Sequence, residues 1–257
     1  MIEREAFQVA EQDQMGAEMH RLMADLYPIC RSLTGNGVRQ TLHMLNDVIP
    51  LVIHEVPTGT TVFDWTVPQE WNIRDAYIKN SKGDRVVDFQ KSNLHVMGYS
   101  VPVSETMSLA ELLPRLYSLP EHPEWIPQRA SYYKPNWGFS IAHNDLVRLA
   151  EDQYEVRIDS TLSNGAMTYG ECVIPGEQAD EILFSTHICH PSLCNDNLSG
   201  IVIAAYLAKA IAAMPKRRYT YRFLFVPAQL GSLAWLARNQ EACGRIRHGV
   251  VLVALGD

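Results

Sequence analysis

An α/β fold is predicted: a mostly parallel sheet flanked by helices, with a small β-rich domain inserted into it. Three observations predict it. Strand-like and helix-like segments alternate from Glu181 onward, apolar residues recur at helical spacing in the first fifty positions, and short β-branched runs replace both patterns between Pro50 and Tyr154. The chain divides on this basis into residues 1–55, N-terminal helices of the α/β domain; residues 56–153, the inserted β-rich domain; and residues 154–257, the α/β core.

Met19, Leu22, Met23 and Leu26 lie on one face of a helix running from Met15 to Tyr27 and stopped by Pro28. Ser32, Thr34, Gly35 and Gly37 precede a second helix, Val38 to about Val48. These residues suit either a cap or an anion-binding nest of amides; the cap is favoured, with Arg31 kept as a contact for a substrate carboxylate. Short strands follow at Ile53–Val56, Thr61–Val67, Asp75–Ile78 and Arg85–Phe89, separated by Gly, Pro, Asn or Lys-Gly-Asp turns. Ser108 and Glu111 stand at capping-box spacing and open a helix from Leu109 to Leu119. Trp65, Trp71, Trp125, Trp137 and the pair Tyr132-Tyr133 belong to this β-rich segment. Packing is the default explanation for them, and a substrate platform is the rival.

Asn164-Gly165 between alternating runs predicts a hairpin, Tyr154–Asp159 with Met167–Ile174. Ile182–Phe184 then reads as a strand buried on both faces, and Ile201–Met214, whose only charge is Lys209, as a buried helix. Tyr219–Val226, a helix from Leu233 to about Cys243, and a strand from His248 to Leu255 complete a β-α-β-α-β order. Right-handed crossovers make these strands parallel. Three loops therefore open at one sheet edge: His187–Asp196, Ala228–Gly231, and Asp257.

The chain has 257 residues, 47% hydrophobic and 20% charged, enough for a sizeable core. A net charge of −7 without a Lys/Arg stripe argues against nucleic acid or an acidic membrane surface as partner, and no apolar run has the length to cross a bilayer. The expected partner is a small peptide or amino-acyl substrate. Five scattered cysteines, an odd number, fit a reducing compartment, and a cytoplasmic location is expected.

Chemistry concentrates after the Ile182–Phe184 strand. Two His (His187, His190), two Cys (Cys189, Cys194) and Asp196 fall within ten residues, and Asn197 or Ser199 stands ready to cap the next helix. Imidazole and carboxylate are the usual ligands of a hydrolytic zinc, and loops at the carboxyl ends of parallel strands are where open α/β sheets place their sites. His187, Asp196 and Asp257 are the candidate ligands. Two metal-free readings compete: a His-Pro turn followed by an ordinary helix cap, and a thiol nucleophile, Cys189 or Cys194, with His190 as base.

The stretches Pro28–Gly37, Phe63–Ile73, Ser131–Tyr133, Trp137–Phe139, His187–Ser192 and Asn195–Gly200 together resemble the aminopeptidase-like family often labelled polysaccharide-biosynthesis proteins with an aminopeptidase-like domain, related to the co-catalytic zinc aminopeptidases. The resemblance implies an aminopeptidase-type fold holding one or two zinc ions. It makes His187 the first ligand, Asp196 a carboxylate bridging two metals, and Asp257 the carboxylate after the next strand. Cys189, His190 and Asn197 become further ligands or groups that orient the ligands.

Two departures stand out. Cys189 occupies the place of an Asp in the related peptidases, and Pro227-Ala228 replaces a Pro-Glu, so the carboxylate expected to accept a proton is missing. Family members also continue well past Asp257. The chain therefore reads as C-terminally truncated, with Val250–Leu255 left bare for a homo-oligomer or a missing C-terminal partner. The sequence thus predicts a zinc-dependent aminopeptidase-like hydrolase acting on a peptide or related amide bond. Its rival is a non-catalytic binding or assembly protein on the same scaffold.

Overall fold

The computed structural model describes residues 2–256, with side chains from residue 14 onward. The chain forms two compact units. One comprises residues 1–56, 61–65 and 167–257; the other comprises residues 57–60 and 66–166.

The first unit is built on a five-stranded sheet. Its strands are β1 (Val52–Pro57), β6 (Ala166–Ile174), β7 (Glu181–His187), β8 (Thr220–Val226) and β9 (Ile246–Val251), in the spatial order β1-β6-β8-β7-β9. β7 lies parallel to both β8 and β9, as two successive crossovers require, whereas β6 runs antiparallel to β8. Helices α1 (Ile2–Leu26), α2 (Asn36–Asn46) and α3 (Gly200–Ala212) cover one face. Leu26, Leu42, Leu45, Ile201, Ala205, Phe223 and Phe225 are buried there, and Met19, Leu22 and Met23 pack against them. Eight of the thirteen α3 residues are buried, which accounts for its nearly charge-free sequence.

Helix α4 (Leu230–Arg238) packs on the opposite face, where Trp235 is 1% exposed. A polar network lies beside it. Arg222 donates to Glu181 at 2.6 Å and to Glu171 at 2.5 Å, Trp235 Nε1 donates to Glu171 at 2.8 Å, and Arg245 donates to Glu181 at 2.9 Å. Two carboxylates and two guanidiniums balance in charge, the condition under which Arg222 and Glu181 are tolerated away from water; Arg245 closes the balance from a half-exposed position.

The second unit holds an antiparallel sheet of β2 (Glu70–Lys79), β3 (Arg85–Asp88), β4 (Val103–Ser108) and β5 (Gln153–Ser163), ordered β3-β2-β5-β4. The Ser108–Glu111 capping box forms, but its α-helix ends at Leu112. Pro114 then enters a single 3₁₀ turn, and the chain becomes extended at Leu116. Trp71 is buried and its indole N–H donates to the Ser100 carbonyl at 3.0 Å, whereas Trp125 is exposed.

Two further local expectations are corrected. Tyr154–Asp159 and Met167–Ile174 do not pair as a hairpin: β5 joins β2 and β4, whereas β6 joins the other sheet. Asn164-Gly165 instead carries the chain out of β5 past Glu70. The Ala166 N–H donates to the Glu70 carboxylate at 3.0 Å, and a Cβ on Gly165 would collide with that carboxylate. No side chain caps α2; its N-cap position is Gly35, with φ 95°, a backbone angle that favours glycine. Among the described residues no helix is long and apolar enough to cross a membrane.

Candidate metal centre

His187 is the last residue of β7 and pairs with Val226, the last residue of β8. The two strands therefore release their loops side by side, and the Ile188 N–H donates to the Val226 carbonyl at 3.0 Å. Residues 188–193 have no regular structure; a tight turn, Cys194–Ser199, kinked at Asp196 and Asn197, then leads into α3. The Asp196–Asn197 peptide bond is cis. Gly200 admits this turn at close quarters, because a Cβ there would meet the Asn197 carboxamide and the Leu252 carbonyl.

The turn folds Asp196 back over the end of β7. Its Oδ1 lies 2.7 Å from His187 Nε2, and its Oδ2 lies 3.3 Å from His190 Nδ1. The second contact is within ion-pair distance but lacks hydrogen-bond alignment, and this buried Nδ1 has no other partner. The imidazoles meet edge to face with centroids 4.6 Å apart. Ligand atoms of His187, His190 and Asp196 all lie within 4.8 Å of one another, and among the described residues no other group of three or more His, Cys, Asp or Glu does so. Burial and the neighbouring His190 lower the His187 pKa, outweighing the opposing pull of Asp196. A neutral imidazole keeps the lone pair that a metal needs. Two imidazoles and one carboxylate fit a zinc ion that keeps a position open for substrate.

The remaining candidates divide by their contacts. Asp257 lies outside the described residues; the Gly256 N–H donates to Asn195 Oδ1 at 2.8 Å. Asn197 is 2% exposed and donates to Thr186 Oγ1 at 2.8 Å and to the His187 carbonyl at 3.0 Å, while Ser199 donates to the Asn195 carbonyl at 2.7 Å. Neither side chain caps α3: the chain is kinked at Asp196 and Asn197, whose backbone angles are not helical, and Ser199 makes no cap hydrogen bond.

Cys189 is 3% exposed, accepts the Ala228 N–H at 3.1 Å, and is pushed up to about 11 by burial. It stands apart from the His187–His190–Asp196 group and is a neutral thiol near pH 7, unsuited to nucleophilic attack. Arg31 is 2% exposed and its pKa falls to about 10 through burial. Its guanidinium donates to the carbonyls of Leu26, His190 and Pro191 at 2.7, 2.8 and 3.1 Å, so these donors face the backbone where the sequence suggested a substrate carboxylate. No local motif signals that role, since two of the three carbonyls it meets, those of His190 and Pro191, lie about 160 residues away.

Residues 20–257 match the family model DUF4910, described as a domain of unknown function. The chain belongs to the DUF4910 family. A Clostridium acetobutylicum protein, whose name proposes a role in polysaccharide biosynthesis and an aminopeptidase-like domain, is 52% identical to this DUF4910 chain over 249 residues. That alignment covers 97% of this chain and 57% of the relative, so the chain spans a little over half the relative's length.

A crystal structure from the same organism, whose name proposes a peptidase, is 51% identical, with a TM-score of 0.95. It matches 100% of this chain and 61% of its own. At the level of fold alone, the DUF4910 chain resembles the zinc aminopeptidase BSAP from Bacillus subtilis: TM-score 0.59, 11% identity, 93% of this chain and 69% of that one. It likewise resembles a peptidase M28 precursor from Shewanella amazonensis: TM-score 0.60, 12% identity, 96% and 72%. The DUF4910 chain thus has the α/β fold of the zinc aminopeptidases, with smaller β-sheets inserted.

Proposed function

We propose that this chain carries the metal-binding part of a hydrolase site of the zinc-aminopeptidase type, directed at a peptide or related amide bond. His187, His190 and Asp196 hold the metal, and Asp257 joins them as a further carboxylate. What supports this reading most is the convergence of two imidazoles and one carboxylate at the carboxyl end of β7, in a chain whose fold is that of zinc aminopeptidases. A zinc ion supplies Lewis acidity toward a carbonyl and makes water a nucleophile near neutral pH. The chain's own contribution is to present neutral His187 and to aim Asp196 across both imidazoles.

A second reading is favoured by Ala228. A methyl group stands where the resemblance calls for a proton-accepting carboxylate, which suits a non-catalytic protein that keeps the metal ligands.

Zinc per chain, measured by elemental analysis on the parent, His187→Ala and Asp196→Ala, tests the shared premise. About one equivalent in the parent, lost in both variants, is expected; a folded parent without zinc after zinc addition removes both readings. Hydrolysis of aminoacyl-p-nitroanilides by the zinc-loaded parent then separates the hydrolase from the binding protein.

A further inference from the structure

We infer that Arg31 is a positioning residue for the metal centre, acting through the backbone of His190 and Pro191. The inference builds on the reading of His187, His190 and Asp196 as metal ligands.

The argument starts from cost. A guanidinium that is 2% exposed has lost nearly all its hydration, and its hydrogen-bond acceptors are three backbone carbonyls rather than a carboxylate. Burial is the leading cause of its lowered pKa. An apolar side chain would fill the same space without that desolvation, so packing alone does not account for a cation here. What the guanidinium provides is a planar fork of donors with fixed directions.

Those donors reach two separate places. Nη1 takes the Leu26 carbonyl at the end of α1, while Nε and Nη2 take the successive carbonyls of His190 and Pro191. Ser192 adds a parallel tie, donating to the Tyr27 carbonyl at 2.6 Å. Residues 188–193 have neither helix nor strand to fix their backbone, and His190 is the cluster member carried by this irregular stretch. The buried end of α1 thus holds the loop through Arg31, and the loop holds the imidazole facing Asp196. Groups that orient ligands in this way typically change metal affinity by ~10 to 100-fold when removed.

The test measures zinc affinity by competition with a chelating dye, and the visible spectrum of the cobalt form, for the parent, Arg31→Ala, Arg31→Lys and His190→Ala. Lysine keeps the charge but cannot hold two carbonyls in one plane, so Arg31→Lys still serves if the alanine variant fails to fold. Arg31→Lys is expected to weaken zinc by ~10-fold and to shift the cobalt spectrum in the direction seen in His190→Ala. The same substitution placed on His190→Ala is expected to cost less than ~2-fold, because the group it positions is already gone. A parent that binds neither zinc nor cobalt overturns the metal reading and this inference together. Zinc bound normally by the parent, with an Arg31→Lys loss that is absent or undiminished without His190, overturns the inference alone.

Discussion

The thiol of Cys189 accepts a hydrogen bond from the backbone N–H of Ala228 at 3.1 Å. The two positions at which this chain departs from the peptidase pattern therefore touch. Where the resemblance calls for two carboxylates, the chain holds a buried thiol, neutral up to about pH 11, and a methyl group. A neutral thiol accepts an N–H without the desolvation that a buried carboxylate suffers, so the two replacements suit each other chemically.

Ala228→Glu is accordingly expected to restore a proton acceptor. With zinc bound, kcat/KM for an aminoacyl-p-nitroanilide should rise, within the range of ~10² to 10⁴-fold that general bases contribute. Steady-state kinetics on zinc-loaded parent and variant measure this. A folded variant with one zinc and no gain would show that the missing carboxylate is not what limits the site.

Much of the scaffold is legible in the sequence because its signals are local. The apolar stripe of Met19, Leu22, Met23 and Leu26 specifies the buried face of α1, and the single charge of α3 marks it as buried. The meeting of His187 with Asp196 is legible too, since a strand end and the following turn need only nine residues to close.

What escaped is non-local. Val103–Ser108 is a sheet-edge strand with three exposed polar residues, so no hydrophobic alternation marks it. The Asn164-Gly165 pair has the local chemistry of a hairpin, yet the strands on either side find better partners in different sheets. Arg31 looks like a ligand contact until the carbonyls of His190 and Pro191 are placed beside it.

The Glu181 network makes a prediction about pH. Burial raises the Glu181 carboxyl, but hydrogen bonds from Arg222 and Arg245 outweigh that and leave it below the ordinary glutamate value. Its carboxylate is 3% exposed, so Glu181→Gln leaves Arg222 with one buried partner fewer and should cost about 3 kcal/mol near neutrality. The folded pKa lies below the unfolded one, so this stabilisation is complete above the unfolded value and lost as pH falls through the folded value. Urea unfolding should show the parent–variant gap at about pH 7 and its narrowing below about pH 4. A gap equal at both would assign the cost to packing rather than charge.

Asn197 separates support from ligation. Its carboxamide donates to Thr186 Oγ1 and the His187 carbonyl, and accepts the Ala254 N–H at 3.3 Å, so it ties the last residues of β7 to the segment after β9. Removing it leaves buried polar groups without their partners, each costing about 1 to 3 kcal/mol. Asn197→Ala should therefore lower stability by about 2 to 3 kcal/mol in urea unfolding while keeping one zinc per chain at saturating metal, unlike Asp196→Ala. Its zinc affinity should fall only moderately, because the His187 imidazole and the Asp196 carboxylate remain. A variant that is as stable as the parent yet binds no zinc would instead place the Asn197 carboxamide on the metal.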